Sequence, residues 1–168
     1  AAAAMLPGKA PAETIVVDPN WPYQQIYDTV AALSNDDVLH FTAGDFNIPI
    51  GHDGFVLSAN NVTVEGEGMN VTHFSLDSGA YYAWKVFSQN ATLQNFSTND
   101  SFFGAVVSSP NYENIHFQNL RMTGHTSHIA FTEQNDPNGV TIVPNIVAEN
   151  IYFERTPGIR GVGTGINF

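Results

Sequence analysis

Apolar and polar positions alternate along most of this chain, and one alternating stretch returns three times. Asn61-Val62-Thr63-Val64-Glu65-Gly66 is echoed by Asn90-Ala91-Thr92-Leu93-Gln94-Asn95, Asn114-Ile115-His116-Phe117-Gln118-Asn119 and Asn145-Ile146-Val147-Ala148-Glu149-Asn150. Each copy runs from Asn through an apolar-x-apolar triplet and one polar residue to Gly or Asn. A second such triplet follows in the last three copies. Period-two alternation turns one side of each triplet inward. Gly or Asn between triplets supplies the positive φ of a tight bend at low steric cost. The pattern predicts pairs of short strands joined by a ladder of bend residues, Gly66, Asn95, Asn119 and Asn150.

Upstream, Thr14-Ile15-Val16-Val17 is β-branched enough to be a strand, and Asp18-Pro19-Asn20 breaks it. From Pro22 the spacing changes. Tyr23, Ile26, Tyr27, Val30 and Leu33 fall on one helical face, which predicts an amphipathic helix over about 22–34 with Pro in its first turn. Val38 to Phe41 and Phe46 to Ile48 then make a first strand pair around Ala43-Gly44, residues 51–54 turn, and Phe55 to Ser58 is a third strand. One coil is thus three strands and three turns. Successive copies start 29, 24 and 31 residues apart, and the turns absorb the difference. The longest of these runs over 124–139.

Units of this length cannot bury an apolar face alone, so they stack. The competing arrangement, an antiparallel sandwich, calls for Asn-Gly hairpins between alternating strands. The single Asn-Gly, Asn138-Gly139, ends a long polar stretch instead. Parallel stacking also sets the bend amides above one another, where they can hydrogen-bond along the column. The final stretch, 161–168, reads as the turn and first strand of a further coil.

The runs Asp37-Val38-Leu39-His40-Phe41-Thr42-Ala43-Gly44-Asp45-Phe46-Asn47-Ile48 and Asn61 to Thr72 resemble the opening coils of right-handed parallel β-helix proteins of the pectate-lyase-like superfamily. The resemblance covers about 36–168. It implies an all-β right-handed parallel β-helix of about five coils under an N-terminal capping α-helix. Residues 1–13 would be a lead-in segment, and 14–168 a single domain with its coils over about 37–168. The superfamily holds lyases, hydrolases and epimerases of uronic-acid polysaccharides beside adhesins and tailspikes, so the fold does not choose a chemistry. The calcium-cluster and Arg-base motif of its lyases has no match around Arg121, Arg155 or Arg160. The Asp-Pro-His-Asp motif of its epimerases is here Asp136-Pro137-Asn138-Gly139.

Composition narrows the partners. Five Lys plus Arg stand against 16 Asp plus Glu, and a net charge of -11 repels nucleic acid. The same charge also keeps a strand-rich protein soluble. Cysteine is absent, which removes disulfides and thiolate metal sites. No apolar run reaches the roughly 20 residues of a membrane span. The apolar start, Ala1 to Leu6, reads as the tail of an export signal or a disordered end.

Candidate binding groups gather in the longest turn: Arg121, His125, His128, Glu133 and Asp136, a His pair with two acids able to do acid–base work or hold a metal. A plain polar loop is the competing reading. Tyr81 and Tyr82 border another long turn and are candidates for sugar stacking, whereas Tyr23 and Tyr27 are expected to close the core beneath the helix. Asp36-Asp37 reads first as a polar turn and second as a contributor to a calcium site, the one cofactor entertained. Glu65 and Glu67 read as exposed turn acids, and His40, His73 and His116 as isolated strand residues. Five Asn-x-Ser/Thr sequons begin at Asn61, Asn70, Asn90, Asn95 and Asn99.

The function that fits is a secreted, extracellular or envelope scaffold or adhesin-like subunit whose role is structural or carbohydrate-binding. It would self-associate end to end through its last coil, or that coil continues in a longer parent chain. The alternative is a polysaccharide lyase, epimerase or hydrolase.

Overall fold

The computed structural model describes residues 11–77, 80–99, 103–107, 113–124, 127–131, 134–135, 141–142, 145–154 and 164–167. β1 (Thr14–Val17) leads to α1 (Tyr23–Ala31). The first rung is β2 (Val38–Phe41), β3 (Gly44–Ile48) and β4 (Phe55–Leu57), and the second is β5 (Thr63–Gly66), β6 (Thr72–Leu76) and β7 (Tyr82–Val86). The third is β8 (Thr92–Asn99) with β9 (Phe103–Val107), and the fourth is β10 (Ile115–Thr123) with β11 (Ser127–Phe131). A small pair, β12 (Gln134–Asn135) and β13 (Thr141–Ile142), precedes the fifth rung, β14 (Ile146–Glu154) and β15 (Thr164–Asn167). The rung strands pair in parallel with their counterparts one rung away, in the orders β1-β2-β5-β8-β10-β14 and β15-β11-β9-β7-β4, with β3 on β6 and β6 on β8 beside the first path. The protein is a parallel β-solenoid of five rungs, about four full turns.

Register converts the sequence repeat into columns of like residues. Leu39, Val64, Leu93 and Phe117 stack inward, as do Phe55, Trp84, Ala105 and Ile129. All eight are at most 1% exposed. The first rungs are filled by rings: Phe74 lies 4.9 Å from Phe41, 5.4 Å from Phe46 and from Trp84, and 5.1 Å from Phe96, mostly edge to face. Such pairs add to the transfer free energy of burying the rings.

Outside the core run two amide ladders. Asn90 Nδ2 donates to Asn61 Oδ1, Asn114 to Asn90 and Asn145 to Asn114, at 2.8, 2.8 and 3.0 Å. Asn119 donates to Asn95 at 3.0 Å and Asn150 to Asn119 at 2.7 Å. Asn61, Asn90, Asn95, Asn114, Asn119 and Asn150 all have φ between 51° and 61°. At these six places Asn is thus used twice, once for the left-handed backbone and once for its ladder amide. Three of the sequons, at Asn61, Asn90 and Asn95, are engaged here.

Several expectations need correction. Gly66 stands level with Asn95 beside the paired Glu65 and Gln94, but its φ lies outside the positive region. It is glycine because a Cβ would lie 2.5 Å from the Asn95 carbonyl oxygen and 2.8 Å from Thr72 Cβ. The positive φ of that bend falls on Gly68 instead, at 154°. In the last three copies the bend does not end the strand, since β8, β10 and β14 each run through their left-handed Asn. The helix stops at Ala31, where the Ala32 N–H reaches the Asp28 and Thr29 carbonyls. Ile26 and Val30 are its buried residues, and Leu33 is buried beyond its end. Of the final stretch, 164–167 form the last strand of the fifth rung, with Ile166 in register with Ile129, rather than the start of a sixth coil. β1 pairs in parallel with β2 of its own chain. Ordered contacts begin before it, because the Glu13 N–H donates to Asp37 and its carbonyl accepts from Val38. The rest of the lead-in, 1–10, lies outside the described residues. The polar stretch after 124 is no simple turn, since β11 lies within it, and the antiparallel β12–β13 pair flanks Asn138-Gly139, themselves outside the described residues.

Candidate functional site

The turn between β3 and β4 is held unusually tightly. Gly51 takes φ 84°, the His52 N–H donates to the Pro49 carbonyl, and the Gly54 N–H donates to the Tyr82 carbonyl at 2.8 Å. A Cβ on Gly54 would run into the Ala83 carbonyl, so only glycine lets this turn approach β7. Asp53 links two further segments. Its carbonyl accepts from the Tyr23 hydroxyl at 2.8 Å, and its Oδ1 accepts from the Tyr81 N–H at 2.8 Å. Helix start, turn and strand start are thereby fixed to one another.

Between them lies a cleft of about 260 Å³. Tyr23, Gln24, Tyr27, His52, Asp53 and Tyr82 line it, with the backbone of Gly51 and Gly54. Tyr23 and Tyr27 are one helical turn apart, which puts them on one face. Their ring centroids are 6.0 Å apart, and the His52 ring lies 4.9 Å from that of Tyr23. Burial, then Tyr27, Tyr82 and Asp53 in that order, push the Tyr23 phenol up to about 12. Burial followed by Asp53 and Tyr27 also raises the Tyr82 phenol. Near neutral pH both phenols are therefore protonated and can donate as well as accept. Flat rings beside convergent polar groups suit a ligand with an apolar face and a polar rim.

The sequence placed these residues only in part. Tyr82 lines the cleft. Tyr81 is 54% exposed with its ring edge-on to Tyr82 at 6.4 Å, and contributes its backbone N–H instead. Tyr23 and Tyr27 do pack against the core, and they also form one wall of the cleft, a role the helical spacing did not reveal. His52, Asp53 and Gln24 were missed. Their signal was a polar turn on a rigid scaffold.

The other candidates are accounted for differently. Arg121 pairs with Glu154 at 2.7 Å and lies 5.4 Å over the Tyr152 ring, and the Glu154 hydrogen bond raises its pKa. His125, Glu133 and Asp136 lie outside the described residues, as does the His128 side chain, whose backbone is part of β11. Asp37 is buried, and its two oxygens accept the Glu13 and Ser34 N–H groups, the work of a turn anchor. Asp36 Oδ1 accepts from Asn61 Nδ2 at the head of the first amide ladder. His40 is not isolated: its Nδ1 is 3.0 Å from Glu65, which also accepts from Gln94, and its Nε2 is 3.8 Å from Glu67. Among the described residues no three His, Asp or Glu side chains are grouped to hold a metal ion, and no helix is long and apolar enough to cross a membrane.

A second polar column crosses four rungs. Asp45, His73, Ser97 and Arg121 occupy one outward register on successive rungs, and His73 Nδ1 lies 2.6 Å from Ser97 Oγ. The residue types suit nucleophilic catalysis. However, Ser97 is 9% exposed with Oγ also within 3.5 Å of the Thr72 carbonyl, and the guanidinium is paired with Glu154. Within this column the His73–Ser97 contact joins neighbouring strands, while Arg121 turns to Glu154.

No family model matches the chain, and no curated protein matches it. Among solved structures it is similar to a point variant of a pectin methylesterase in complex with a hexasaccharide, at 12% identity, a TM-score of 0.45, and coverage of 90% of this chain and 68% of that one. The strand registers themselves establish that this chain is a parallel β-solenoid.

Proposed function

We propose that this protein is a carbohydrate-binding β-solenoid, a secreted or envelope scaffold that presents a sugar site beside its first rung. The observation that carries the reading is the convergence of Tyr23, Tyr27 and Tyr82 with Asp53, His52 and Gln24 around the 260 Å³ cleft. Pyranoses offer an apolar ring face to aromatic side chains and hydroxyls to polar neighbours. The cleft lies just below the roughly 300 Å³ at which typical ligand pockets begin, which suits a single ring of a longer chain. Its walls belong to packed elements, so little ordering entropy is lost on binding.

Calorimetric titration of the purified chain against a panel of oligosaccharides tests this reading. Binding by the wild type that is abolished in Tyr82→Ala and weakened in Tyr27→Ala supports it. Binding unaffected by both substitutions refutes it.

The scaffold part of the proposal draws on the fifth rung. β14 pairs with β10 on one side, Tyr152 is 53% exposed, and Ile146, Ile151 and Phe153 are only partly buried. Light scattering over a concentration series gives growing mass if copies stack end to end, and constant mass if they do not. A polysaccharide-active enzyme is the second reading, favoured by the His73–Ser97 contact. Retained turnover of a glycan ester in Ser97→Ala would remove that support.

A further inference from the structure

Resting on the carbohydrate-binding reading, we infer that the cleft selects neutral pyranoses and rejects uronic acids. The charge of the lining points this way. Asp53 is its carboxylate, and neither Lys nor Arg is among the described residues that line it. The Lys85 ammonium lies 5.8 Å from the Tyr82 centroid and 4.8 Å from that of Phe87, and Lys85 is not one of the lining residues. A sugar carboxylate entering here would meet a like charge with no basic side chain among the described lining residues, and it would carry that repulsion into a partly desolvated space.

The phenols point the same way. Burial is the main cause of the upward shift of both Tyr23 and Tyr82, and Asp53 adds to each, so a negative charge at either ring is disfavoured. A ligand carboxylate placed between them meets the same penalty. With 16 acidic against five basic residues, the whole chain adds to it at long range.

The hydrogen-bonding groups fit a neutral sugar equally well. Asp53 Oδ1 is engaged by the Tyr81 N–H, and the exposed carboxylate retains acceptor capacity for the hydroxyls of a vicinal diol. The Gln24 amide and the Tyr27 and Tyr82 hydroxyls both donate and accept, as ring oxygens and hydroxyls require. A uronate replaces one such hydroxymethyl group by an anion that Asp53 cannot serve.

The test is calorimetric titration of the whole chain with matched tetrasaccharides, neutral gluco-, manno- and galacto-configured oligomers and their uronate counterparts. The expected result is that at least one neutral oligomer binds about tenfold or more tightly than its own uronate. Raising the salt concentration should narrow that ratio, because the repulsion is screened. In Asp53→Asn, which keeps the Oδ1 acceptor for Tyr81, the uronate should bind more tightly while the neutral sugar weakens. If uronates bind as well as or better than their neutral partners, the selectivity is overturned while the carbohydrate site stands. If no oligomer of either class binds, both fall together. Circular dichroism of the variant against wild type separates a charge effect from misfolding, and the salt series on wild type gives an answer independent of any substitution.

Discussion

Replacing Asn119 dissects what holds the rungs in register. This residue combines φ 51°, a donated bond to Asn95 and an accepted one from Asn150. Asn119→Ala removes both ladder bonds, each worth about 1 kcal/mol net. It also forces a Cβ-bearing residue without a helpful side chain into the left-handed region, at roughly 1 kcal/mol more. The sum is a loss of about 3 kcal/mol. Asn119→Gly loses the same bonds but tolerates the backbone, so it should cost about 2 kcal/mol even with its more flexible unfolded state. Asn119→Asp keeps the acceptor and loses the donor, and falls between wild type and Gly. Urea unfolding followed by circular dichroism measures all three, with unchanged m-values as the check that cooperativity across rungs is intact. An alanine variant no worse than the glycine variant, or both within about 0.5 kcal/mol of wild type, would refute the double role given to Asn.

Three further outcomes follow from the geometry. Phe74→Ala, at a fully buried ring packed among Phe41, Phe46, Trp84 and Phe96, should cost about 3–5 kcal/mol in the same unfolding assay. Asp37→Ala strands the Glu13 and Ser34 N–H groups and should cost about 3 kcal/mol, with addition of calcium restoring nothing to the wild type or the variant. Tyr23 has a folded pKa of about 12 against 10.0 for the free phenol, so its contribution is complete below pH 10 and is lost as pH rises towards 12. Because the ring is only half-buried, solvent screening cuts the nominal effect to roughly 1 kcal/mol. Thermal melts across that range, with phenolate absorbance read in parallel, show whether Tyr23 ionises late.

The solenoid was legible because its physics is local and repeated. The motif around Asn90, Asn114 and Asn145 encodes both strand and bend in six residues, and each repetition confirms the alternation of the last. The same logic misled at Gly66, where the requirement is close approach to Asn95 rather than positive φ, and composition cannot distinguish the two. It misled again at 164–167, which can be the first or the last strand of a coil until Ile166 is seen above Ile129. The cleft was barely legible. Tyr23, Asp53 and Tyr82 are separated by some 30 residues at each step, and they meet because one coil of chain returns to the same edge. Tyr82 was recognisable as an aromatic beside a turn, whereas Asp53 gains its meaning only from the two hydrogen bonds that tie it to Tyr23 and Tyr81.

The most direct test of the account is a map of backbone amide shifts, by heteronuclear NMR, as a neutral tetrasaccharide is titrated into the labelled protein. Perturbations gathered at residues 23–27, 51–54 and 81–85, with the amides of Asn95, Asn119 and Asn150 unmoved, are the predicted result. Shifts centred instead on the outer face around His40, Glu65 and Gln94, or along His73, Ser97 and Arg121, would contradict it.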